Sequence, residues 1–95
     1  MVRRPFQQQA PSPLDGHILT FLDYLDTLPA GFAPATASDV TAASEACNVS
    51  APFIEALFTS ASTRGLVEPF QPRGARGRYR WRVSSRGKHW RTATS

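Results

Sequence analysis

The chain holds one cysteine, Cys47, and one lysine, Lys88. A single thiol cannot close an intramolecular disulfide, which excludes a disulfide-stapled secreted scaffold. No apolar run approaches the roughly 20 residues needed to span a bilayer, so no membrane association is expected. Arg3 and Arg4 are followed by Pro5, three glutamines and Pro11, where a signal peptide needs an apolar stretch. A soluble cytoplasmic protein is the resulting expectation. Acidic residues are scarce in one region only. Residues 64–95 hold one acid, Glu68, against nine basic residues, a net of +8. Residues 1–63 hold two arginines against six acids, a net of −4. The overall charge of +4 therefore averages an acidic body and a strongly basic last third.

Groups that do chemistry are equally sparse. His17 and His89 stand 72 positions apart, with no neighbouring Cys or His at metal-ligand spacing. Asp15 and His17, two apart on a helix, do not face each other. No nucleophile, base and orienting group occur together, and no glycine-rich phosphate loop is present. An enzyme is not expected, nor a cofactor or a metal. Cys47 falls at an apolar position and reads as a buried structural thiol. What remains is 95 residues, 41% apolar, enough for one domain with one modest core.

Residues 1–11 are polar and broken by proline, and a disordered arm is expected there. Order is expected over residues 12–92. Ser12, Pro13 and Asp15 suit the start of a helix. Leu14, Ile18, Leu22 and Leu25 then recur at helical spacing, widened by Leu19, Phe21 and Leu28, which predicts a helix to about Leu28 before Pro29 and Gly31. Two short helices should follow. Thr36 or Asp39 can cap the first, which runs to about Cys47, and Asn48 suits a left-handed turn. Ser50 can cap the next, with Pro52 in its first turn and Ile54, Leu57, Phe58 and Ala61 as its buried stripe. Gly65 suits its C-terminal cap.

Beyond Leu66 the period changes. Leu66 and Val67 are β-prone, and residues 69–77 read as a loop. Residues 78–83 alternate strictly, which predicts a strand with Tyr79, Trp81 and Val83 toward the core and Arg78, Arg80 and Arg82 on the other face. A base-stacking platform is the second reading of Tyr79 and Trp81. A short helix is expected from Ser84 to Trp90.

The order helix, helix, turn, helix, hairpin resembles the winged helix-turn-helix family. Ser44, Asn48, Val49 and Ile54 stand at that family's small, glycine-like, apolar and branched-apolar positions around the turn. Arg64-Gly65-Leu66-Val67-Glu68 resembles its passage into the first wing strand. Tyr79-Arg80-Trp81-Arg82-Val83-Ser84-Ser85-Arg86-Gly87 resembles the second wing strand and the helix after it. The resemblance implies an α+β fold: three helices, a two-stranded β-hairpin wing and a short C-terminal helix.

It also implies binding of double-stranded DNA as a small transcription regulator or an architectural or accessory factor. In the family the third helix enters the major groove. Here that helix offers Ser50, Ala51, Phe53, Glu55, Ala56, Thr59 and Ser60, with no Arg, Lys, Asn or Gln suited to bidentate base contacts. Phosphate and groove contacts by the wing are expected instead. The candidate nucleic-acid residues are Arg73, Arg76, Arg78, Arg80, Arg82, Ser50, Thr59, Arg64 and Lys88, with Arg86 and Arg91 adding to the positive field. Phe53, one position before Ile54, is either a partner anchor or a partly buried ring against the first helix. Trp90 either packs the last helix or meets a second copy in a homodimer. Two alternatives stay open: a winged helix used as a protein-interaction module in a larger complex, and RNA binding through the Arg/Gly-rich tip.

Overall fold

Pro13 opens α1 (Pro13–Leu25), where its missing N–H removes no intrahelical bond, and Asp15 lies in the positive first turn. The computed structural model describes residues 13–71 and 79–94, so the expected N-terminal arm lies outside the described residues. Ile18, Phe21, Leu22 and Leu25 form the buried face of α1. Two members of the expected stripe behave differently. Leu14 is 39% exposed, in the first turn ahead of the first core residue, Ile18. Leu28 lies beyond the helix, which tightens after Leu25 into bonds from Thr27 N–H to the Tyr24 carbonyl and Leu28 N–H to the Leu25 carbonyl. The Thr27 hydroxyl also donates to that Tyr24 carbonyl, at 2.6 Å. Occupying C-terminal carbonyls in this way ends the helix three residues early.

α2 (Ala37–Cys47) starts at Thr36, which is extended and makes no side-chain cap bond. Asp39 reaches back instead, and its carboxylate accepts from the Ala33 N–H at 2.9 Å. The helix ends at Asn48, in the left-handed conformation at φ 58°. Val49 N–H then bonds the Ser44 carbonyl and Asn48 N–H the Glu45 carbonyl, a paired termination that absorbs two orphan carbonyls. The Ser44 hydroxyl adds a bond to the Val49 carbonyl at 2.5 Å. Ser44 and Val49 are thus tied in both directions, which sets the angle at which the next helix leaves.

α3 (Ala51–Thr63) is capped by the Ser50 hydroxyl, which accepts from Phe53 N–H, and carries Pro52 in its first turn. Ile54, Leu57 and Ala61 are buried, whereas Phe58 is half-buried. Gly65, at φ 74°, turns the chain out of α3, with Leu66 N–H on the Ala61 carbonyl and Gly65 N–H on that of Ser62.

β1 (Val67–Phe70) and β2 (Arg80–Val83) pair antiparallel with Val67 opposite Val83, Glu68 opposite Arg82, Pro69 opposite Trp81 and Phe70 opposite Arg80. The strand therefore extends into Pro69 and Phe70, which composition assigns to a loop. The proline is tolerated because Trp81 directs its own N–H and carbonyl the other way. Both bond Phe32, at 2.8 and 2.9 Å. The Pro69 nitrogen consequently faces away from β2, where no ladder donor is needed. Phe32 acts as a one-residue third strand on the far side of β2, too short to leave any periodic signal in the sequence.

α4 (Ser85–Thr94) completes an α+β arrangement of four helices with a two-stranded hairpin after the third. It begins within the expected stretch and runs on to Thr94. The core joins α1, α2 and α3 to Phe32, Leu66, Val67 and Val83. Edge-on ring contacts link its parts: Phe21 to Phe32 at 5.5 Å and Phe58 to Trp81 at 4.9 Å. No helix among the described residues is long and apolar enough to cross a membrane.

Candidate nucleic-acid interface

The basic residues gathered in the last third of the sequence do not form one free positive field. Arg64, which closes α3, pairs with Asp15 of α1 at 3.1 Å, and its guanidinium lies 5.0 Å above the Trp90 ring. Arg80 pairs with Asp39 at 3.2 Å, on the carboxylate oxygen that also holds the Ala33 N–H. Arg82 meets Glu68, directly opposite it across the hairpin, at 2.8 Å. Arg91 bonds Asp26 at 2.6 Å and Asp23 at 3.3 Å and also donates to the Leu22 carbonyl. Four arginines are thereby engaged by acids, three of them by the acidic helical body. Among the described residues Arg86 and Lys88, both exposed on α4, have no acidic partner. Arg73, Arg76 and Arg78 lie outside the described residues.

The acids that engage these arginines are distant in the chain, and no local pattern marks them. Asp23 on α1 and Asp26 just after it, both exposed, hold α4 through Arg91. Charge segregation is the available signal, because a −4 segment joined to a +8 segment in one small domain favours ion pairs between the two. The signal names no pairs.

Along β2 burial falls toward the hairpin tip. Val83 is buried, Trp81 is half-buried and Tyr79 is 67% exposed. The expectation that Tyr79 faces the core is therefore corrected. The ladder ends at the Phe70–Arg80 pair, so Tyr79 stands one residue beyond it with no core beneath. It borders a shallow groove lined by residues 33–36 and Trp81.

On α3, Thr59 is exposed, as are Pro52, Glu55 and Ala56, giving a neutral to acidic outer face. The exposed Ser50 spends its hydroxyl on the cap to Phe53 N–H, at 3.2 Å. Phe53 is half-buried, its ring edge-on to His17 of α1 at 5.1 Å, which matches the packed reading of that residue. Trp90 likewise packs against the core from α4, and borders a second shallow groove with Leu66, Arg86 and His89.

Cys47 is half-buried, and burial pushes its thiol above the ordinary value, which keeps it protonated and weakly nucleophilic at neutral pH. Tyr24 is also shifted up, by burial first and then by Asp39 and Cys47. No group of three or more metal-ligating side chains occurs among the described residues. Comparison with protein-family models, curated proteins and solved structures gives no match for this chain.

Proposed function

We propose that the chain is a winged-helix domain that binds double-stranded DNA, mainly through phosphate and groove contacts of its wing, and serves as a small transcription regulator or an architectural or accessory factor. The observation that carries this reading is a three-helix body followed by an antiparallel hairpin, with three arginines in the sequence between its two strands. Arg86 and Lys88 on α4 add charge with no acidic partner among the described residues. The outer face of α3, without a basic or amide side chain and with Glu55 exposed, supports phosphate contacts from elsewhere over base reading by this helix, since Ser50 and Thr59 can bond a phosphate but discriminate bases poorly.

The same neutral to acidic face favours a second reading, a protein-interaction module within a larger complex. One titration separates the readings. Binding to random duplex DNA, single-stranded DNA and structured RNA is measured between about 50 and about 300 mM salt. With about five phosphates neutralised, duplex affinity falls with a log–log slope near −4 to −5. Preference for structured RNA transfers the activity to RNA. Absence of binding to all three at low salt leaves the protein-interaction reading.

A further inference from the structure

Arg80 and Arg82 lie two apart on β2 and share one face in the alternation, yet the structure treats them differently. The Arg80 and Asp39 side chains are 30% and 24% exposed, and the carboxylate has a second bond to the Ala33 N–H. Arg80 thus ties the hairpin to the first turn of α2 and, through the shared carboxylate oxygen, to Ala33 just before it. The Arg82 and Glu68 side chains are 55% and 43% exposed. Among the described residues, one polar contact holds the Arg82 side chain there, from its Nε to the Glu68 carboxylate. Such a pair is weak and exchanges readily in water.

A second contact fixes where Arg82 stays if Glu68 lets go. Its guanidinium lies 4.7 Å over the Phe70 ring. That ring in turn rests on Gly31, so closely that a Cβ on Gly31 would come within 2.6 Å of it. Gly31, at φ 80°, accommodates both the turn and the ring. Arg82 therefore sits on a seated aromatic shelf, with its planar fork of donors on the exposed side of the hairpin.

We propose that Glu68 holds Arg82 in the free protein and competes with DNA phosphate for it, so that Glu68 limits how many wing arginines engage the backbone. The proposal rests on the DNA-binding reading and deepens it. When a phosphate approaches, the guanidinium exchanges one oxygen acid for another without leaving its shelf. Glu68 remains beside the new pair and repels the phosphate, which keeps this contact weak. Arg80, anchored through Asp39, stays with the body.

The test uses the full chain with the substitutions Glu68→Gln, Arg82→Gln and both together, each titrated against one random duplex of about 20 base pairs. Glu68→Gln is expected to tighten binding roughly three- to tenfold near 100 mM salt and to steepen the log–log slope by about 0.9, the increment for one added phosphate. Arg82→Gln alone should change affinity by less than about twofold, and in the Glu68→Gln background it should abolish the gain. Thermal melting checks that all variants fold, as expected for an exposed pair. If the wild type binds and Glu68→Gln changes neither affinity nor slope, the proposal for Glu68 is overturned and the DNA reading stands. A gain that survives Arg82→Gln also overturns it, since the effect is then one of net charge. Absence of duplex binding by both wild type and Glu68→Gln overturns the DNA reading itself.

Discussion

Ser84 is the one buried polar residue among those described, and each of its polar atoms is used. Its hydroxyl accepts from Gly87 N–H at 2.9 Å, capping α4, and donates to the Gly65 carbonyl at 2.6 Å. Its own N–H bonds the Leu66 carbonyl. Ser84→Ala removes the cap and orphans a carbonyl, so a loss of about 1–2 kcal/mol is expected in urea unfolding. Gly87 has a different role. A Cβ there would stand 2.0 Å from the Leu66 carbonyl oxygen and 2.9 Å from a Val83 methyl. Backbone cannot yield as a flexible side chain would. Gly87→Ala is therefore expected to cost about 2–3 kcal/mol by the same measurement, despite the better helix propensity of alanine. The Ser84 cap position was legible as a helix start. The close approach at Gly87 was not, because its crowding partner lies 21 positions away in the chain.

Besides the packing of Val67, Val83 and Trp81 on the core, polar bonds attach the hairpin to the helical body and orient it. Phe32 holds Trp81 by two backbone bonds, and Asp39 holds Arg80 and Ala33 together. Asp39→Asn keeps the shape but weakens both bonds, with an expected loss of about 1–2 kcal/mol. Hydrogen exchange at the Trp81 and Phe32 amides should quicken more than at Ile54 or Leu57, marking local opening of the hairpin ahead of global unfolding. The half-buried Trp81 also lowers what its truncation should cost, below the 3–5 kcal/mol typical of a fully buried aromatic. The helices were readable because each has local signals: Pro13, Asn48 in its left-handed turn, Ser50 and Gly65. The hairpin ends were not. Pro69 reads as a strand breaker until Phe32 is seen to take the hydrogen bonds of the residue opposite it.

For the protein taken together, charge pairing and buried protons set the response to solution conditions. The Cys47 thiol and Tyr24 phenol are both shifted up from ordinary values of 9.0 and 10.0. Folding therefore favours their neutral forms. Well below pH 9.0 both are protonated folded and unfolded, and their contribution is fully present. Above it the unfolded chain loses these protons first, so stability falls as pH rises through the alkaline range. Urea midpoints should show a decline above about pH 9, and Cys47→Ser should reduce the first part of it. Alkylation of Cys47 at neutral pH should be slower than that of a free thiol, and denaturant should restore the ordinary rate.

The order of elements, the two helix-terminating turns and most of the buried helix faces follow from interactions that reach only a few positions along the chain. Capping, left-handed turns and side-chain periodicity are of this kind, and the residues announce them. The excess of positive charge after residue 63 is equally a property of the chain alone. Which of those charges remain available is not. Arg64 meets Asp15 across 49 positions, Arg80 meets Asp39 across 41, and Arg91 meets Asp26 across 65. Pairing depends on distance in space, which periodicity does not encode. Only the packed fold divides the described arginines of the last third into those that hold the body together, the one set against Glu68 on a Phe70 shelf, and Arg86 on α4, which has no acidic partner among the described residues.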